Sequence, residues 1–145
     1  MRGIDSNIIV YALNSDLTEH EPCKELFKRI ANAKEIAGIP TIVFMESYHA
    51  LVYKFKFLSS EVKRRLTAII DSENVIIYNI STSTILYAFE IASQYKMGGR
   101  DSLIASSLLE NNVKEIYSHD ADFDKINEIT RIDPINKSSL YPIKS

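Results

Sequence analysis

The sequence predicts an α/β fold, a three-layer α/β/α sandwich around a central, mostly parallel sheet. Three observations carry that prediction. Short β-branched runs alternate with longer stretches of helical periodicity, the pattern of βαβ units. Right-handed crossovers between parallel strands then place helices on both faces. The chain has 145 residues, 46% hydrophobic and 25% charged, enough to bury a core without metal or disulfide staples. Residues 1–145 read as a single domain, with no internal repeat and no linker-like stretch of Ser, Gly or Pro.

Each element follows from its own residues. Ile4 is the last apolar residue before Asp5, so a very short first strand is expected. Asn7 to Asn14 reads as a short helix. Glu21 to Ala33 reads as a second, with Pro22 in its first turn and Leu26, Phe27 and Ile30 at helical spacing. Glu35 to Ala37 is expected as a brief strand, closed by Gly38-Ile39-Pro40. Thr41 to Phe55 reads as one strong helix. Ser59 or Ser60 is expected to cap the next, whose buried stripe is Val62, Leu66, Ile69 and Ile70. Val75-Ile76-Ile77-Tyr78 is the best strand: β-branched, uncharged and short. Ser83 to Tyr95 is helical until Gly98-Gly99 breaks it, and Asp101 to Glu110 is helical again. Glu115-Ile116-Tyr117 and, more weakly, Thr130-Arg131-Ile132 complete the strands.

Composition excludes several function classes. With 17 Lys+Arg against 19 Asp+Glu, the formal charge of −2 argues against a basic coat for indiscriminate DNA binding. The longest aliphatic-aromatic run, Ile8 to Leu13, is far short of the roughly 20 residues that span a bilayer. Met1-Arg2-Gly3-Ile4-Asp5 meets an acid too early for a secretory segment, so a cytoplasmic protein with no membrane partner is expected. Cys23, the single cysteine, can make no internal disulfide and no zinc–thiolate site.

Four acids stand out against this background. In open α/β sheets, ligands sit beyond the carboxyl ends of the strands. Asp5 follows the first strand and Asp120 follows the fourth, so both project at one rim. Each has a purely structural alternative, Asp5 as a helix N-cap and Asp120 in an Asx turn. Glu46 falls on the stripe of Val43, Ala50 and Tyr53, where an unpaired charge is unwelcome unless it reaches water or a cation. Asp101 opens a helix, which the helix dipole alone favours, but Gly98-Gly99-Arg100 before it lets backbone approach closely and sets a cation beside the acid. As a set, neighbouring carboxylates repel unless something neutralises them. A hard divalent cation such as Mg²⁺ or Mn²⁺ does so, and it suits phosphodiester hydrolysis.

The motifs around these acids resemble those of PIN domains. Asp5-Ser6-Asn7-Ile8-Ile9 looks like the first motif, and Pro40-Thr41-Ile42-Val43-Phe44-Met45-Glu46 like the second. Gly99-Arg100-Asp101-Ser102-Leu103-Ile104-Ala105 looks like the third, and Tyr117-Ser118-His119-Asp120-Ala121-Asp122-Phe123 like the fourth. In order and spacing they span residue 5 to about 132, and the small stand-alone form looks most like VapC-type toxins of toxin–antitoxin pairs. The resemblance implies a central sheet of about five strands and an endoribonuclease that depends on Mg²⁺ or Mn²⁺. It carries over Asp5, Glu46, Asp101 and Asp120 as catalytic, metal-binding acids, with Asp122 sharing or replacing the fourth. Asn7 and Ser118 match polar positions that orient acids or water. An RNA substrate, a homodimer and a small antitoxin protein that inserts a side chain into the acidic pocket are implied as well. Two departures are the short stretch before Asp5 and Ser6, where Thr is more usual.

Other residues admit two readings. Lys54, Lys56, Lys63, Arg64 and Arg65, interleaved with Tyr53, Phe55 and Phe57, suit either RNA contact or a solvated helix beside core or interface aromatics. Arg100 suits a phosphate contact or a pair with an acid. His119 reads as an exposed loop residue, and His49 as a partly buried structural one. The functional alternatives are a housekeeping RNA-processing nuclease, a non-catalytic RNA- or protein-binding module, and an aspartyl phosphatase. The last typically needs a second Asp where Asn7 stands.

Overall fold

Five strands, Arg2–Ile4 (β1), Ala37–Pro40 (β2), Val75–Tyr78 (β3), Glu115–Tyr117 (β4) and Thr130–Ile132 (β5), pair in parallel throughout, in the order β3-β2-β1-β4-β5. The computed structural model describes residues 1–136, so the last part of the expected single domain, 137–145, lies outside the described residues. The helices are Ser6–Leu13 (α1), His20–Ala31 (α2), Thr41–His49 (α3), Ser59–Ile70 (α4), Thr82–Tyr95 (α5) and Gly99–Glu110 (α6).

The strand order fixes where a site can form. The chain builds β1, β2 and β3 outward in one direction, then returns to lay β4 and β5 on the other side of β1. Right-handed crossovers put α1–α4 on one face and α5–α6 on the other. The switch point lies between β1 and β4, and the crevice opens beyond their carboxyl ends. Ile4, Ile8, Ile9, Leu26, Ile39, Leu51, Ile104, Leu108 and Ile116 are fully buried and fill both interfaces. Burying each such side chain stabilises the fold by about 1.5–3 kcal/mol before entropy is counted. Helix α6 comes close to β1 because residue 3 is glycine: a Cβ there would stand 2.5 Å from a Leu108 methyl.

Several expected boundaries shift, each for a tertiary reason. The second strand is Ala37–Pro40, not Glu35–Ala37. Glu35 is drawn into polar contacts with Tyr117 and Arg2, while the four residues from Ala37 are buried and pair with β3. The helix expected over Thr41 to Phe55 remains α-helical only to His49. It then widens into a π-helical turn at Ala50–Lys54, where the Phe55 amide donates to the Ala50 carbonyl at 3.0 Å. Neither Ser59 nor Ser60 caps α4. Lys56 takes a left-handed φ of 63°, Leu58 becomes the extended boundary residue, and its carbonyl accepts from the amides of Glu61 and Val62. Ile70 is 42% exposed rather than part of the buried stripe. Finally, α5 ends at Lys96, with φ 54°, and Gly98 starts α6 instead of breaking its predecessor.

Candidate functional site

The carboxyl-end crevice is a cleft of about 670 Å³, lined by Asp5, Ser6, Asn7, Glu46, His49, Ala50, Gly98, Gly99, Arg100, Asp101 and Asp120. Four separate stretches of chain deliver the acids. Asp5 ends β1 and caps α1; Glu46 sits mid-way along α3; Asp101 stands in the first turn of α6; Asp120 follows β4 and caps a 3-10 turn over Ala121–Lys125.

The structural alternatives for Asp5 and Asp120 both hold, and they help to build the site. Asp5 is only 4% exposed. One of its oxygens accepts the Ser6 amide at 2.7 Å and the other accepts the Ser118 hydroxyl at 2.7 Å. The Ser118 oxygen in turn accepts the Asp120 amide at 3.0 Å, and Asp120 accepts the Asp122 amide at 2.9 Å. A fully buried serine thus ties the first acid to the fourth. Asp101, Asp120 and Asp122 each present a carboxylate oxygen within 4.8 Å of the others, although Asp122 is exposed and also reaches Lys125 at 3.5 Å.

The charges are costly where they stand. Burial pushes the Asp101 carboxyl up to about 7, assisted by the charges of Asp5 and Asp120 and, less strongly, Glu46. Asp5 is raised mainly by burial, against the hydrogen bonds from Ser118 and Ser6. Glu46 is raised by burial and by Asp5, and the Arg100 guanidinium at 3.5 Å offsets this in part. Two cleft oxygens, Asn7 Oδ1 and Glu46 Oε1, are buried without a hydrogen-bond partner, an arrangement that normally costs about 1–3 kcal/mol each. A divalent cation fits this donor set. Its oxygens are carboxylate and amide, the hard type that Mg²⁺ and Mn²⁺ prefer, and two of them lack a partner.

The remaining candidates spread outward. Arg100 lines the cleft with a largely exposed side chain. Lys54 and Lys56 are exposed beyond it and are not among its lining residues; the Lys54 ammonium lies 5.3 Å from the Phe55 ring centre. Lys63 is also exposed, whereas Arg64 and Arg65 are engaged by Glu61. Phe55 and Phe57 pack partly against the core, but Tyr53 is exposed. His49 is exposed rather than partly buried and lines the cleft.

Sequence reasoning missed Asp133. It follows β5 as Asp5 follows β1, is 5% exposed, and binds the His119 ring at 2.7 Å. Arg131 donates to Asp133, to the Ser118 carbonyl and twice to Asp124, so it clamps both ends of the loop that carries Asp120 and Asp122. The rule that singled out Asp5 and Asp120, an acid directly after a strand, would have found Asp133 had the last strand been weighted equally.

The sequence matches the family model described as PIN domain over residues 4–129. The fold is similar to that of VapC20 from Mycobacterium tuberculosis, a toxin that cleaves the sarcin–ricin loop, with a TM-score of 0.72 at 14% identity over 100% of this chain and 98% of that one. It is also similar to a chain of a toxin–antitoxin complex from Klebsiella pneumoniae (TM-score 0.68, 16% identity, 92% and 98% covered). A third likeness is to VapBC2 from Rickettsia felis, bound to a DNA fragment from its promoter (TM-score 0.67, 18% identity, 90% and 96% covered). A search of curated protein sequences finds no match.

Proposed function

The chain belongs to the PIN-domain family, and from that premise we propose that it is a metal-dependent endoribonuclease, the toxin of a toxin–antitoxin pair. The observation that carries this reading is the convergence of Asp5, Glu46, Asp101 and Asp120, from four distant stretches, onto one cleft with partnerless buried oxygens. The fold shared with the M. tuberculosis toxin and with the K. pneumoniae complex supports the toxin role.

In this reading Asp5, Glu46, Asp101 and Asp120 hold Mg²⁺ or Mn²⁺, and Asp122 shares the fourth position. The ion supplies charge neutralisation, an activated water and stabilisation of the phosphoryl charge. The chain's own residues do the positioning. Ser118 holds the Asp5 carboxylate and the Asp120 amide in one frame, and Asn7 turns its free amide oxygen toward the cleft to orient water or an acid. Arg100, at the lip, is placed for a backbone phosphate, with Lys54 and Lys56 as outlying contacts.

The partners follow from exposed apolar surface. Met45 and Ile70 are exposed beside a cavity of about 500 Å³ between α3 and α4, a suitable seat for an antitoxin segment. Leu86 and Phe89, exposed on α5, suit self-association into a homodimer. Residues 1–145 act as one domain in a cytoplasmic setting, and no helix among the described residues is long and apolar enough to cross a membrane.

RNA cleavage in Mn²⁺ or Mg²⁺ tests the reading. Activity is expected to disappear in EDTA and to fall about 100-fold or more in Asp5→Asn and Asp101→Asn. Undiminished cleavage by both variants would remove these acids from the chemistry.

A further inference from the structure

An aromatic pair at the lip of the cleft is left unused by that chemistry. His49 closes α3 and lines the cleft, and Tyr53 lies four residues on, inside the π-helical turn. Their ring centres are 5.0 Å apart with planes tilted by 34°. Tyr53 is 60% exposed and His49 is exposed, and neither ring makes a hydrogen bond among the described residues. Glu46 precedes His49 by three residues, so carboxylate and rings share one side of the helix. The π turn is an uncommon geometry that recurs at functional sites. Lys54 and Lys56, both exposed, follow directly.

We propose that His49 and Tyr53 form a stacking subsite for one unpaired nucleobase, flanking the phosphodiester that the acids cut. This rests on the nuclease reading and deepens it by naming the substrate class: RNA that is single-stranded or looped out at the cleavage point. A base inside an A-form duplex is already stacked on both sides and offers no free face, whereas a splayed base does. Stacking on an aromatic ring tolerates every base, so the subsite selects for strandedness rather than sequence. Exposed lysines beside the rings suit the backbone phosphates of the same strand. The alternative occupant is a second copy of this chain.

The test is equilibrium binding of two RNAs, a short single strand carrying 2-aminopurine and a fully paired duplex, with Ca²⁺ in place of Mg²⁺ to suppress cutting. Tyr53→Ala is expected to weaken single-strand binding about 5- to 100-fold and to abolish quenching of the 2-aminopurine, with duplex binding unchanged. Tyr53→Phe is expected to stay within about twofold of wild type, and His49→Ala to show the same selective loss as Tyr53→Ala. Equal effects on the two RNAs, no effect, or dissociation of a dimer in sedimentation by Tyr53→Ala would each overturn the subsite while leaving the nuclease intact. A wild-type protein that binds no RNA would overturn both. Because Tyr53 is exposed, its replacement leaves the core untouched, and circular dichroism confirms that each variant is folded.

Discussion

At Asp101 the folded chain holds a carboxyl up to about 7, first through burial and then through the charges of Asp5 and Asp120. In an unfolded chain the same group titrates near 3.9. Between about pH 4 and pH 7 the folded state therefore keeps a proton that the unfolded state has released. Asp101's contribution is fully present below pH 4 and is lost as pH rises through 7, so the metal-free protein becomes less stable over that window. Burial raises Asp5 and Glu46 as well, which adds to the same trend. Asp101→Asn removes the ionisation. In EDTA at pH 8 the variant is expected to be more stable than wild type by about 1–2 kcal/mol, a figure reduced for the solvent contact of a half-buried group. At pH 5 the difference should shrink. Urea denaturation at the two pH values measures both, and equal stabilities at pH 8 would mean that the cleft acids do not strain the metal-free fold.

Among the elements, the strands that the sequence marks clearly are those whose residues carry the information themselves. Val75–Tyr78 is β-branched and needs no context, and its bounds are as expected. By contrast β2 contains Gly38 and Pro40, poor strand formers, and exists because its four residues are buried beside β3. Gly38 is needed there, since a Cβ would meet the Tyr78 ring at 2.5 Å, a contact no single-sequence pattern reveals. The site divides the same way. Acids at strand ends are visible in order, whereas the Ser118 link and the Arg131 clamp depend on residues that only the sheet brings together. That clamp yields a prediction. Arg131→Gln removes one cation from buried Asp133 and releases both ends of the loop between β4 and β5. Stability is expected to fall by about 1–3 kcal/mol in urea denaturation. Amide hydrogen exchange should accelerate more over residues 118–125 than in β1 or β3. Uniform acceleration would show Arg131 to be a general support rather than a loop clamp.

For the whole molecule, the four acids are also a thermodynamic lever. They hang from β1, α3, α6 and the loop after β4, so they reach across crossovers on both faces of the sheet. An ion held by all of them exists only in the folded state, because the unfolded chain scatters the same carboxylates along nearly 120 residues of sequence. Binding that is confined to the folded state stabilises it by about 2.7 kcal/mol at an ion concentration 100 times the dissociation constant. For a domain of this size that corresponds to a rise in Tm of about 5–10 °C. Mn²⁺ is therefore expected to raise the Tm of the wild-type protein in a concentration-dependent way. A doubly substituted Asp5→Asn, Asp101→Asn protein should melt at or above the metal-free wild type, having lost two strained charges, and gain little from Mn²⁺. The two halves of this expectation separate the alternatives. A variant that loses the Mn²⁺ response only because it is misfolded would melt lower, without metal, than the wild type. A variant with an undiminished Mn²⁺ response would place the ion at other carboxylates on the surface, and the cleft would then be a strained pocket with no use for its charge.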